Sequence, residues 1–131
     1  MDEQLLQEAA ALEQYTNQLE QNREYLARQI SELEEFSQYL SELIKSTEKS
    51  MLASIGKGVY LKSDIIEREL FVEVGAGVIV KKTPAQLQSV IGGQLVRLRE
   101  THSDLATQIG FYAQKLNEIM QLFNESNTHK H

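Results

Sequence analysis

Three groups of residues in this chain could do chemistry by type, and each fails on spacing. Gly75-Ala76-Gly77 begins like a dinucleotide-binding fingerprint, in which glycines let the backbone approach a pyrophosphate at a helix start. Val80 stands where the third glycine would be, and no helical pattern follows. Gly56-Lys57-Gly58 has a lysine between glycines but lacks the P-loop spacing. The histidines are His102, His129 and His131; the last two lie about 27 residues beyond the first, which is no metal-ligand spacing. His102 falls on an apolar stripe, where a packed neutral imidazole is the simpler reading, and Tyr15, Tyr25 and Tyr39 read as packing groups. Cysteine is absent, so there is no thiolate site. No nucleophile has a base beside it and no carboxylates converge. The residues therefore point to no enzyme, no cofactor and no metal. What remains is non-covalent contact, and the elements that would position it matter most.

The chain has 131 residues and a net charge of −6, enough for one domain. Its charge is uneven. Residues 1–50 hold eleven acidic and four basic side chains, residues 51–83 four and five, and residues 84–131 four of each. No basic patch emerges from that distribution, so nucleic acid is not an expected partner. The start, Met1-Asp2-Glu3-Gln4, is acidic with no apolar stretch behind it and does not read as a signal peptide. No apolar run approaches the roughly 18 residues of a membrane span. A soluble cytoplasmic protein is the expectation, and the absence of cysteine fits a reducing compartment.

The stretch Leu70 to Lys82 is the clearest strand signal. Leu70, Val72 and Val74 alternate with Phe71 and Glu73, and Val78 and Val80 alternate with Ile79 and Lys81, the period of two of a sheet with one buried face. Gly75-Ala76-Gly77 predicts a hairpin loop of three to five residues. A second hairpin is expected from Met51 to Ser63, turning at Gly56-Lys57-Gly58, with Val59 and Leu61 on one face. Asp64 to Glu69 links the two, and Ile65-Ile66 either extends the strand or packs beneath it.

On either side lie helices. Leu5, Leu12, Leu19, Leu26, Leu33 and Leu40 recur every seven residues, a coiled-coil column. The companion column is uneven: Ile30, Phe36, Leu43 and Ile44 near the middle of the chain, but Ala9, Tyr15, Thr16, Asn22 and Arg23 toward the start. Glu13, Glu20, Glu24, Glu32, Glu34, Glu35 and Glu42 fall mostly off the leucine stripe and read as a solvated face. Thr83-Pro84-Ala85-Gln86 predicts a helix start, with threonine as N-cap, proline first in the helix and glutamine reaching back to the cap. Beyond it Ile91, Leu95, Leu98, His102, Leu105, Ile109, Tyr112, Leu116, Ile119 and Phe123 alternate steps of four and three. Gly92-Gly93 costs such a helix about 1 kcal/mol per residue relative to alanine. Close packing near the helix base is the expected reason, with a hinge as the alternative.

The expected fold class is thus mainly α with a small β part: residues 1–50 as one coiled-coil helix, 51–83 as two hairpins, 84–125 as the second helix and 126–131 as a frayed tail. Helices of these lengths span about 60–68 Å, against a radius of gyration of about 14 Å for a compact domain of this size. They must pair as a long antiparallel coiled coil, with Ile44 about opposite Pro84. The hairpins are left with unpaired edges, which invites strands from other subunits.

The order helix, two hairpins, helix, with Val72-Glu-Val-Gly-Ala-Gly-Val-Ile-Val-Lys-Lys82 and Gly58-Val-Tyr-Leu-Lys-Ser-Asp64, resembles the alpha class of prefoldin subunits, the archaeal form most of all. The likeness covers essentially the whole chain, and the paired hairpins carry it, since beta-class subunits have one. It implies a hexamer of two alpha and four beta-class subunits whose hairpins build an intersubunit β-barrel. It implies further that the coiled-coil tips bind unfolded polypeptides without ATP and deliver them to a group II chaperonin. Leu70, Val72, Val74, Gly75, Gly77, Val78, Val80, Val59 and Leu61 are then the oligomerisation residues. Antiparallel pairing brings Leu5, Leu6 and Leu12 near Phe111, Leu116, Ile119, Met120, Leu122 and Phe123, which are the candidate client-binding residues. Phe111, Met120 and Leu122 lie off the stripe, so the seam does not need them, and methionine suits a surface that accepts many sequences. The competing reading is a structural coiled-coil adaptor or filament-forming subunit with one defined partner.

Overall fold

The computed structural model describes the backbone of residues 2–129 and the side chains of residues 3–125. The element order is α1 (Asp2–Lys45), β1 (Ser50–Gly56), β2 (Val59–Asp64), β3 (Leu70–Gly75), β4 (Val78–Lys82) and α2 (Pro84–His129). By compactness the chain divides into two units, Met1–Glu32 with Val96–His131, and Leu33–Leu95.

Leu33–Leu95 holds the β-structure. β1 pairs with β2 and β3 with β4, each antiparallel, as two separate two-stranded sheets. The two hairpins close in the same way. Lys57 and Gly58 have φ of 53° and 77°, and Ala76 and Gly77 have 52° and 77°. Positive φ at both central residues is the tight turn whose twist matches the strands. Each loop therefore has two residues, against the three to five expected at Gly75-Ala76-Gly77. The preceding glycine, Gly56 or Gly75, is already a strand residue, with a bulge just before it where the register slips. Val74 sits in that bulge, outside the paired ladder. Along β3 and β4, Leu70, Val72, Val80 and Lys82 are half-buried while Phe71, Glu73, Ile79 and Lys81 are exposed. The expected two-faced pattern is present, but its inner face is only partly covered.

Helix ends in this unit are closed by side chains. The Gln86 amide donates to Thr83 Oγ1 (3.1 Å) and the Thr83 amide to Gln86 Oε1 (3.0 Å), a reciprocal cap at the start of α2. At the end of α1, Arg68 reaches back from the inter-hairpin link and donates to the Glu48 carbonyl (2.7 Å) and the Leu43 carbonyl (3.5 Å). The Ile65 amide donates to the Lys49 carbonyl (2.8 Å), so Ile65 is tied down, whereas Ile66 is 95% exposed. Leu40, Ile91 and Leu95 are buried between the helical segments. Beside them Gln88 Nε2 donates to the Ser37 carbonyl (3.3 Å) and to Ser41 Oγ.

One departure from the sequence reading lies beside that polar clasp. The companion column on α1 runs Ala9, Thr16, Arg23, Ile30 and Ser37, all half-buried, while Phe36 is exposed. A seven-residue spacing was already available through Ser37, whose backbone carbonyl accepts from Gln88 while the Ser41 hydroxyl takes the side-chain bond. The glycine pair departs as well. A Cβ on Gly92 or Gly93 would meet nothing within 4 Å, so close packing inside this chain is not their purpose. α2 also continues to His129, beyond the helix end expected at residue 125; residues 130 and 131 of the expected tail lie outside the described backbone.

Within the other unit, Leu19, Ile109 and Ile119 are buried and Leu5, Leu12, Leu26, Leu98, His102, Leu105, Tyr112, Leu116 and Phe123 half-buried. Every position of the four-three stripe that falls here is covered. The rings of Tyr15 and Tyr112 meet edge to face with centroids 5.1 Å apart, and Glu8 and Ile119 share a cleft with them, as an antiparallel pairing requires.

Candidate functional surfaces

The seam of Met1–Glu32 with Val96–His131 consumes one face of each helical segment, and the remaining apolar groups stand in water. Leu6 is 52% exposed, Phe111 62%, Met120 45% and Leu122 53%. Leu5, Leu12, Leu116 and Phe123 are half-buried, and Ile119 is buried, so these five hold the seam wholly or in part. An open cleft of about 370 Å³ lies between the segments, lined by Glu8, Ala11, Leu12, Tyr15, Tyr112, Lys115 and Ile119. A smaller depression of about 250 Å³ is lined by Phe111, Gln114, Lys115 and Glu118. Phe111 also lies edge to face against Tyr112 at 5.4 Å, so three aromatic rings form one connected cluster.

Sequence reasoning treated Tyr15 as packing alone. It packs against Tyr112 and is at the same time exposed at the cleft. Lys115 and Glu8 carry no motif that singles them out in the sequence. The signal for both lay in the pairing instead, since an antiparallel pairing that faces Tyr15 with Tyr112 also brings Glu8 near Ile119.

The second surface is formed by the hairpins. Phe71, Val74, Val78 and Ile79 on one hairpin, and Leu52, Val59, Tyr60 and Leu61 on the other, are exposed. Of the expected oligomerisation residues, Leu70, Val72 and Val80 are half-buried, and Val74, Val78, Val59 and Leu61 are exposed. Gly75 and Gly77 serve the turn. Beside Phe71, Lys81 Nζ lies 2.9 Å from Glu67 and 3.9 Å from Glu69, with its charge 5.3 Å from the Phe71 ring centroid. The hydrogen bond and charge of Lys81 hold the Glu67 carboxyl below its usual range, and Glu67 raises the Lys81 ammonium in turn.

Among the described residues no group of three or more His, Cys, Asp or Glu is placed to hold a metal ion. No described helix is long and apolar enough to cross a membrane. The chemistry these surfaces offer is apolar contact, through side chains in one case and through side chains with strand edges in the other.

Two long helices joined through paired hairpins define a class of coiled-coil subunits, and comparison places this chain within it. The family described as Prefoldin subunit matches over residues 12–129. The chain belongs to the prefoldin family. A cryo-EM structure of filamentous prefoldin (PFD) from Methanocaldococcus jannaschii matches with a TM-score of 0.70 at 16% sequence identity, covering 91% of this chain and 98% of that one. At that identity the likeness speaks for the fold. No curated protein sequence matches.

Proposed function

We propose that this chain is an alpha-class prefoldin subunit that acts as an ATP-independent holdase. Members of its family are chaperones rather than enzymes. In this reading the hairpins of two such subunits join those of four beta-class subunits in a β-barrel. The coiled-coil tips hold unfolded polypeptides and release them to a group II chaperonin in the cytoplasm. The observation that carries the reading is the set Leu6, Phe111, Met120 and Leu122, four large apolar groups left in water by a seam that is complete without them. Such groups cost solubility unless they bind something, and flexible side chains on helices suit clients of many sequences. Weak contacts repeated over several subunits add through multivalency, so no single tip needs high affinity.

The test is suppression of aggregation of a refolding protein. Replacing the four residues by serine abolishes protection while the assembled mass is unchanged, and protection is the same with and without ATP. Protection retained by the serine variant overturns the reading.

A second reading is a filament-forming subunit, favoured by the filamentous assembly of the structural neighbour. Mass in solution separates the two. A species of two of this chain with four of a beta-class partner supports the hexamer, and a self-assembled polymer indifferent to that partner supports the filament.

A further inference from the structure

Apolar surfaces differ in the charge that surrounds them, and here the surroundings are one-sided. Residues 3–21 and 106–125, which carry the four exposed apolar groups and the cleft, contain six acidic side chains and one basic, Lys115. Glu20 is occupied by Arg23 at 3.0 Å. Glu8, Glu13 and Glu118 have no ion-pair partner among the described residues. Glu8 lines the cleft and Glu118 the second depression, each together with Lys115, so two carboxylates and one ammonium border the aromatic cluster. The hairpins, where residues 50–82 hold four acidic and five basic side chains, show no such bias.

We infer that this surface selects cationic apolar segments, stretches of unfolded chain in which large apolar side chains are flanked by lysine or arginine. The inference rests on the holdase reading above and names its client class. The exposed rings of Tyr15 and Phe111 take an apolar side chain or the face of a guanidinium, and Glu8 and Glu118 lie where flanking cations would come. A Debye length of about 8–10 Å lets neighbouring carboxylates act together on one bound segment. Acidic flanks meet repulsion from both carboxylates, relieved at Lys115. The same field raises the encounter rate of basic segments.

The experiment uses the assembled protein and two fluorescent peptides with one shared apolar centre, flanked by lysines in one and glutamates in the other. Anisotropy at about 0.05 M salt is expected to show about tenfold tighter binding of the lysine peptide, narrowing to within about threefold at about 0.5 M salt. Combining Glu8→Gln and Glu118→Gln closes the gap, and Lys115→Gln widens it. Equal binding of the two peptides, still lost in a Phe111→Ser, Leu122→Ser variant, overturns the charge preference and leaves the holdase reading standing. Binding indifferent to that variant, or no binding of either peptide, overturns the holdase reading and the preference with it.

Discussion

The hairpins and the Tyr15–Tyr112 region both leave large apolar side chains in water, but the backbone beneath them differs. In α1 and α2 every interior amide is already bonded within its helix, so Phe111, Met120 and Leu122 offer side-chain contact alone. In the hairpins each strand has a single neighbour, and its outer edge keeps unpaired amides and carbonyls. A strand edge accepts a partner only in register and direction, whereas a helix face accepts any chain with apolar groups. Similar exposure therefore suits the first surface to transient, sequence-tolerant binding and the second to fixed assembly.

The largest effect should break one surface and spare the other. Ile79→Asp places a charge on the exposed side of β4, where the chain itself needs no packing. Sedimentation is expected to show subunits in place of the assembly, with helical circular dichroism retained. An unchanged assembled mass would mean that this side of the hairpin is not an interface. The serine replacements of Leu6, Phe111, Met120 and Leu122 should do the reverse, with normal mass and no protection. Either variant harming both properties would end the division of labour.

Next in size comes the glycine pair. With open space around both, Gly92→Ala and Gly93→Ala should each stabilise α2 by about 1 kcal/mol, read as a raised unfolding midpoint. If the double variant instead assembles poorly, a partner's backbone approaches α2 at that point, and the assembly surface extends beyond the hairpins. In the other unit, Thr16 Oγ1 is buried with no hydrogen-bond partner. Thr16→Val keeps the shape and removes the unsatisfied hydroxyl, worth about 1 kcal/mol of added stability. A loss on that substitution would mean the hydroxyl is bonded in solution, through water or to a helical carbonyl.

Much of this was legible because the signals were local. Thr83-Pro84-Ala85-Gln86 contains its own cap, and both hydrogen bonds formed as the residue types dictated. The ten residues from Ile91 to Phe123 needed only helical periodicity to fall on one covered face. Features that depended on a distant partner were not legible. Gln88 meets the Ser37 carbonyl and Ser41 only once the helical segments are placed, and Arg68 showed no sign of reaching Leu43 and Glu48. Periodicity separated Phe111, Met120 and Leu122 from the seam, but a repeat carries no information about a partner for them. The acidic setting was visible in the N-terminal charge count, and only the pairing of the helices put Glu8 and Glu118 beside the same aromatic cluster.

The smallest effect concerns the ion pair beside Phe71. Glu67 has its carboxyl lowered by Lys81, so the pair contributes above the unfolded value near 4.5 and its contribution is lost as pH falls through the lower folded value. Lys81 is raised, so its share is present below about 10.5 and is lost as pH rises through the higher folded value. Between those limits the contribution is constant. Both groups are exposed, which keeps the effect small and sensitive to salt. Lys81→Met is therefore expected to leave isolated subunits nearly as stable at neutral pH, with slightly less loss of stability on acidification than the wild type shows. If Phe71 and Lys81 become covered on assembly, water no longer screens the pair, and the same substitution should weaken association more than it weakens folding. Measuring unfolding and dissociation of this one variant between about pH 3 and 7 would then report whether the Phe71 side of the hairpin is buried between subunits, independently of Ile79→Asp.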